Sequence, residues 1–160
     1  MKEILLNKGY KALIDDEDFN QVNKFKWSIA IRKRNFYAQR SYIKNGKPSI
    51  MLLHRYILNP CNNIQIDHID HNGLNCQRSN LRLATNAQNS YNQRKRNSLY
   101  SYSKFKGVSW NKRAHKWISQ IQFMGKNKYL GLFNDEILAW HAYNEAAERY
   151  FGNFSYFDYK

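Results

Sequence analysis

The chain has 160 residues, enough for one medium-sized domain or two small ones. Its formal net charge is +14, from 26 Lys and Arg residues against 12 acidic ones. So large an excess indicates a polyanionic partner, most simply nucleic acid, because solubility alone needs far less charge. Charge and aromatic content do not separate DNA from RNA, so RNA binding stays open here.

The cysteines and the lengths of the apolar runs indicate the cellular compartment of the protein. Cys61 and Cys76 are the two cysteines, and neither lies in a paired-cysteine motif, which argues against a zinc site. We expect free thiols in a reducing compartment, with no disulfide partner. The N-terminus lacks a signal-like apolar core, and no run approaches membrane length. The sequence therefore predicts a cytoplasmic protein with no membrane association, whose oligomeric state stays open.

Residues 1–53 are predicted to form a strand-rich platform. A short strand is expected over Lys11–Ile14, and the acidic run Asp15–Asp18 follows it. Phe19 and Val22 come next at helical spacing, and acidic residues favour the start of a helix. We interpret the run as helix capping rather than as a metal site, because no histidine lies near it.

Two hairpins are predicted next. Residues 27–31 and 36–42 have the pattern of paired strands, and Asn45 with Gly46 marks a hairpin turn into residues 49–52. Basic side chains in this segment either contact phosphates or form a solvated edge that resists aggregation, and the pattern does not decide between the two. They are Arg32, Lys33, Arg34 and Arg40.

A strand–loop–strand–helix pattern follows a short helix predicted for residues 53–58. The first strand ends in Asp67 and His68, a polar loop comes next, and a second strand is expected over Leu81–Ala84. Thr85 and Gln88 then have the capping-box spacing that starts a helix.

This pattern suggests metal-assisted phosphodiester cleavage. Asp67 and Asn89 offer the oxygen ligands that suit Mg²⁺ or Mn²⁺, and His68 can accept a proton near neutral pH. Neighbouring strand residues point to opposite faces, so we expect a local twist or bulge that brings both side chains to one site, or a strand that ends at Ile66. Asn80 can hold the loop or the histidine. The alternative is an Asp that caps a turn beside a solvated His.

The order and spacing of these motifs resemble the HNH endonuclease family with its ββα-metal site. The resemblance implies a general base at His68, a supporting catalytic residue at Asn80, and Asp67 and Asn89 as ligands of one divalent ion. The third motif residue is Asn rather than His, a variant that the family also uses. The matching stretches are Leu53-His54-Arg55-Tyr56-Ile57, Ile66-Asp67-His68-Ile69-Asp70, Asn72-Gly73, Ser79-Asn80-Leu81-Arg82 and Asn89.

The basic residues around this core are candidate phosphate contacts. The resemblance puts the segment with Arg55 beside the metal loop, which favours such a contact there. Arg78 and Arg82 flank the site, although surface solvation explains them equally well. His54 is interpreted as a structural histidine.

Residues 98–103 lack apolar periodicity and are predicted to be a linker. It would separate a nuclease domain of residues 1–97, made of the platform 1–53 and the ββα-metal core 54–97, from a domain of residues 104–160. Strands at 105–110, 116–123 and 128–133 and a helix capped by Asn134 or Asp135 predict a three-stranded antiparallel sheet packed on one helix. The fold class is therefore α+β.

The C-terminal segment resembles the plant ethylene-response-factor (apetala-two) DNA-binding domain. The matches are Lys106-Gly107-Val108, Lys116-Trp117, Tyr129-Leu130-Gly131, Phe133, Ala142-Tyr143 and Glu145-Ala146-Ala147. The resemblance implies a DNA-facing sheet, although a protein-binding face is the alternative. Several positions that are Arg in the plant proteins differ here, so their target preference does not transfer. The implied DNA contacts are Lys106, Ser109, Asn111, Arg113, Gln120, Gln122 and Tyr129.

Together these features predict a site-specific, metal-dependent endonuclease that hydrolyses phosphodiester bonds in double-stranded DNA. We expect it to be of the homing type, from a mobile element or phage. The alternative is a DNA-binding regulator with an inactive nuclease fold, against which the intact set Asp67, His68, Asn80 and Asn89 argues.

Overall fold

The computed structural model describes residues 1–32, 35–95 and 102–156. Its contacts divide the chain into two units, Met1–Asn86 and Ala87–Lys160. Helices and antiparallel sheets occur in both, which confirms the predicted α+β class. The predicted linker at 98–103 lies mostly outside the described residues, so the boundary placed there stays a prediction.

The first unit consists of sequential antiparallel hairpins and two short helices. The Asn45-Gly46 turn has positive φ at both residues, as a type I′ hairpin turn requires. In chain order the elements are β1 (Lys2–Leu5), β2 (Lys11–Ile14), α1 (Asp16–Val22), β3 (Ser28–Arg32), β4 (Asn35–Lys44), β5 (Lys47–Leu52), α2 (Leu53–Leu58), β6 (Gln65–His68) and β7 (Leu81–Ala84). The sheets are β1–β2, β3–β4–β5 and β6–β7.

One apolar core lies beneath these hairpins and includes the fully buried side chains of Ile14, Leu53 and Cys76. Backbone hydrogen bonds attach the loop before Cys76 to β2. The Leu13 N–H donates to the Leu74 carbonyl, and the Cys76 N–H donates to the Leu13 carbonyl, each at 2.8 Å. The loop between β6 and β7 is therefore fixed to the N-terminal hairpin.

The acidic run at the start of α1 makes long-range contacts. Asp15 stands at the N-cap position, but its side chain accepts no hydrogen bond from the helix. Its carboxylate instead accepts from Gln77 Nε2 at 3.1 Å and from the Arg78 backbone N–H at 2.7 Å. Asp18 pairs with the Arg78 guanidinium at 2.7 Å. The predicted capping role is therefore wrong for Asp15, which secures the turn before β7.

The second unit is a three-stranded antiparallel sheet with a long helix against it, as predicted. Asp135 caps the long helix by accepting from the backbone N–H groups of Ile137 (2.7 Å) and Leu138 (3.1 Å). The elements are α3 (Asn86–Tyr91), β8 (Val108–Asn111), β9 (Lys116–Phe123), β10 (Lys126–Phe133) and α4 (Glu136–Phe151). The helix α3 belongs to this unit from Ala87 onward.

Several predicted bounds differ in this unit, and the third strand of the sheet begins at Lys126 rather than at residue 128. The first strand of the sheet begins at Val108 rather than at residue 105, because Gly107 has a φ of +75°, outside the β region. A Cβ there would lie 1.9 Å from the Tyr143 ring. The helix that follows the capping box ends at Tyr91, before the predicted end of the ββα-metal core at residue 97. Residues 96 and 97 lie outside the described part of the chain.

Candidate active site

Asp67 and His68 are the last two residues of β6, and both side chains are buried. The strand pairs with β7 in regular register, with Asp67 opposite Arg82 and His68 opposite Leu81. It therefore runs through both residues, and the expected bulge or early end at Ile66 is wrong. Because successive strand residues point to opposite faces, the two side chains have different surroundings.

The face that carries Asp67 holds an ion pair. Nε and Nη2 of Arg82 both donate to Oδ2 of Asp67, at 2.8 and 2.6 Å. A carboxylate withdrawn from water needs such a partner, because an isolated buried charge is very costly. Arg82, predicted to contact phosphate, thus has its guanidinium engaged within the protein.

The face that carries His68 is lined by rings and a thiol. The ring centroids of His54 and His68 lie 4.9 Å apart in an edge-on arrangement, and the Tyr37 ring lies 5.9 Å from His68. The metal-binding atoms of His54, His68 and Cys76 all lie within 4.8 Å of one another. A Cβ on Gly73 would lie 2.6 Å from the Tyr37 ring, so glycine is needed for this close approach.

Burial lowers the pKa of both histidines, because it disfavours the charged form. For His54 this effect, with smaller contributions from His68, Arg55 and Arg32, lowers the pKa to about 3. Burial also lowers the pKa of His68, and the charges of Asp70 and Asp67 oppose the change. Both imidazoles are therefore neutral at pH 7, and His68 is in the form that accepts a proton.

Asn80 fixes the loop between β6 and β7. Its Nδ2 donates to Asp70 Oδ1 at 2.9 Å and to the Asn75 carbonyl at 2.8 Å, while its Oδ1 accepts from the Asp70 N–H at 3.0 Å. Asp70 also accepts from the Asn72 N–H at 2.7 Å and from Asn75 Nδ2 at 2.8 Å. The buried Asn80 amide thus donates and accepts at once, as its chemistry allows.

Comparisons with known proteins bear on this hairpin directly. A family model described as HNH endonuclease matches residues 59–91. An uncharacterized HNH endonuclease of Acanthamoeba polyphaga mimivirus is 31% identical over 160 aligned residues, covering 92% of this chain and 74% of the relative. The chain belongs to the HNH endonuclease family. Protein 3.8 of Escherichia phage T7 is 38% identical over 76 residues, 47% of this chain and 61% of that protein. No solved structure matches the chain.

Family membership makes this HNH endonuclease a DNA-cleaving hydrolase and confirms the resemblance of its nuclease core. The comparisons give no support to an ethylene-response-factor-like domain, which stays a prediction. Among the described residues, no helix combines the length and apolar character needed to cross a membrane.

Asn89, the other predicted metal ligand of the HNH endonuclease, lies in the part of α3 that belongs to the second unit. Contacts within that unit fix the C-terminal end of α3. Tyr91 stacks on Phe151 with ring centroids 3.9 Å apart. Lys106 Nζ donates to the carbonyls of Tyr91 (2.6 Å) and Gln93 (2.8 Å), and burial lowers its pKa to about 8. Lys106, a predicted DNA contact, thus caps a helix.

The other predicted DNA contacts of the second unit differ in exposure. The side chains of Ser109, Gln120, Gln122 and Tyr129 are exposed, with Tyr129 at 62%. Asn111 closes the turn after β8, because its Oδ1 accepts from the N–H groups of Arg113 (3.0 Å) and Ala114 (3.1 Å). The Arg113 side chain is exposed.

The remaining predicted phosphate contacts lie in the first unit and have protein partners. Arg55 Nη1 donates to the Ile64 carbonyl at 3.0 Å. Arg78 pairs with Asp18 and Glu17, and its side chain keeps 45% of its surface exposed. Each of these arginines can contact phosphate only if it binds its protein partner at the same time or is released from that partner.

Two donor sets bear on metal binding in this HNH endonuclease, one predicted from the sequence and one present as a cluster in the structure. Carboxylate and amide oxygens, from Asp67 and from the predicted ligand Asn89, suit Mg²⁺ or Mn²⁺. His54, His68 and Cys76 offer two nitrogens and a sulfur, which suit Zn²⁺ instead. Sequence reasoning missed this second set, because its members are far apart along the chain. The sole signal was His54 within the stretch that resembles the family.

Proposed function

We propose that the protein is a site-specific, metal-dependent DNA endonuclease of the homing type, from a mobile element or phage. The observation that carries the proposal is a neutral, buried His68 beside Asp67 at the end of β6, inside the segment that matches the family. Hydrolysis of a phosphodiester needs a base for the attacking water and a charge that stabilises the phosphate. His68 supplies the base, and Asp67 would help to hold the divalent ion that supplies the charge.

His68 acts as the general base. Its neutral imidazole takes the proton of the attacking water, and the negative charges of Asp70 and Asp67 stabilise the imidazolium that forms. Asn80 supports this step indirectly, because it holds Asp70 and the loop in place. His68 is thus a catalytic residue and Asn80 a positioning residue.

Asp67 and Asn89 are the proposed ligands of one divalent ion, Mg²⁺ or Mn²⁺. The donor chemistry fits, because both offer hard oxygens, and Arg82 already orients the Asp67 carboxylate. When bound, the ion stabilises charge on the scissile phosphate and on the leaving 3′ oxygen. Arg82, Arg78 and Arg55 supply positive charge around the phosphates.

The sheet of the second unit binds double-stranded DNA in this proposal. Its exposed positions Ser109, Gln120, Gln122 and Tyr129 read the groove, and Asn111 and Arg113 contact the backbone beside them. A major groove is wide enough for a β-element. The exposure of these side chains and the net charge of the chain support this assignment.

The proposal is tested by incubating the full chain with the genomic DNA of its source and Mg²⁺, then mapping the new ends by sequencing. We expect ends at few sites, and none in excess chelator. His68→Ala should lower the cleavage rate roughly 10²- to 10⁴-fold, with binding nearly unchanged. His141→Ala is the matched control, because His141 is exposed on α4.

Three results would contradict the proposal. Cleavage by His68→Ala at the wild-type rate would show that His68 is not the general base. Cleavage that persists in excess chelator would show that the reaction does not need a metal. Tight binding to one duplex with no new ends, in Mg²⁺ or Mn²⁺, would instead identify a DNA-binding regulator with an inactive nuclease fold.

A further inference from the structure

We propose that His54, His68 and Cys76 form a second metal site, which takes a thiophilic ion of the Zn²⁺ class and switches cleavage off. Their donor atoms lie within 4.8 Å of one another. All three residues are buried, with exposures of 7%, 7% and 0%. They come from α2, from β6 and from the loop attached to β2, so the fold alone brings them together.

The donor set selects the ion. Two imidazole nitrogens and one thiolate sulfur are ligands that Zn²⁺ prefers, whereas Mg²⁺ and Mn²⁺ prefer oxygens. Zn²⁺ binds nitrogen and sulfur at about 2.0 to 2.3 Å, so three donors that lie up to 4.8 Å apart must approach one another by about an ångström when they bind it. Three protein ligands leave a fourth position for water.

A ring nitrogen of His54 is a second observation at this cluster. Nδ1 of His54 is buried and has no hydrogen-bond partner among the described residues. Such atoms are rare in folded proteins and call for a specific explanation. The Cys76 thiol makes a weak contact with the Gly73 carbonyl, at 3.9 Å. On binding, its S–H bond breaks, the proton goes to solvent and the sulfur binds the ion.

The inhibitory consequence rests on the proposed role of His68. An imidazole nitrogen that binds an ion cannot accept the proton of the attacking water. An ion held by His54, His68 and Cys76 therefore removes the general base without occupying the oxygen ligands of the Mg²⁺ site. The site would couple cleavage to the supply of free thiophilic metal.

Cobalt is the probe for the site, because a thiolate bound to Co²⁺ gives a charge-transfer absorption in the near ultraviolet. The variant Cys61→Ser leaves Cys76 as the single thiol of the chain. We expect one Co²⁺ per full-length chain with this absorption in the wild type and in Cys61→Ser, displaced by one equivalent of Zn²⁺. Cys76→Ala should lose the absorption. Its absence from Cys61→Ser would overturn the proposal, even if Cys76→Ala fails to fold.

Inhibition is measured on Mg²⁺-supported cleavage, relative to the zinc-free rate of each variant. Stoichiometric Zn²⁺ should inhibit the wild type and Cys61→Ser. Cys76→Ala should need a Zn²⁺ concentration at least roughly tenfold higher for the same inhibition. Equal inhibition of Cys76→Ala would place the zinc effect elsewhere and overturn the switch. If no variant cleaves DNA, the proposed function fails, while the cobalt spectra still decide the metal site.

Discussion

The β6–β7 hairpin and the β8–β9–β10 sheet differ in the burial of their candidate functional residues. In the hairpin, Asp67, His68 and Asn80 are buried, and the protein itself surrounds them. In the sheet, Gln120 and Gln122 face solvent. Burial tunes the pKa of a base and fixes its geometry, whereas a side chain that reads DNA must be exposed before the DNA arrives. The difference in burial thus follows the difference in proposed task.

The largest expected effect tests the buried side of this comparison. Arg82→Ala leaves the Asp67 carboxylate buried without its cation, so it should lower the free energy of unfolding by about 3 to 5 kcal/mol. Lys11→Ala is the matched control. It removes a pair with Glu3 in which both side chains are about half exposed, and should cost about 1 kcal/mol or less. Urea denaturation of both variants measures the difference, and equal losses would mean that the Asp67 pair is not effectively buried.

The next effect compares two glycines of the second unit that share a positive φ. Gly107→Ala places a Cβ against the Tyr143 ring, and left-handed backbone adds strain, so we expect a loss of about 3 kcal/mol. Gly125→Ala has the same φ within a degree but nothing within 4 Å, and should cost about 1 kcal/mol. Urea denaturation again gives both values. A loss at Gly125 as large as that at Gly107 would show that backbone strain alone decides.

Local sequence patterns predicted the elements of the fold. They did not predict the contacts between residues that are far apart in the sequence. The bounds of β2 and β9 and the Asp135 cap follow from alternation, turn residues and helix-capping chemistry within a few residues. The carboxylate of Asp15 bonds to a turn some sixty residues later, which no local signal records.

The same distinction applies to the candidate site. Asp67 and His68 are adjacent, so their pattern is visible in the sequence. His54 and Cys76 reach His68 only because α2 and the loop attached to β2 pack around it. The spacing of these residues in the sequence argued against a zinc site. The fold nevertheless brings their metal-binding atoms within 4.8 Å of one another.

A smaller effect concerns pH. The pKa of His54 is about 3 in the folded chain and about 6.5 when unfolded, so between these values the unfolded chain binds an additional proton. The free energy of unfolding should therefore fall as pH falls below 6.5, by up to about 1.4 kcal/mol per pH unit from this residue. His54→Gln should reduce the loss between pH 7 and pH 5, measured by urea denaturation in chelator. The exposed control His141→Gln should keep the full loss, and an unchanged slope in His54→Gln would contradict the assignment.

The smallest effect tests the exposed sheet. If Gln120 and Gln122 read bases, changing both to Ala should cost about 1 kcal/mol of discrimination per contact between the target and a scrambled duplex. The salt dependence of binding should not change, because a neutral amide displaces no counterions. Lys116→Ala, at an exposed position on the same face of β9, should do the opposite: it should lower the salt slope by about 1 and keep the discrimination. Binding measured over a range of salt separates the two, and full discrimination in the double variant would show that β9 does not read the sequence.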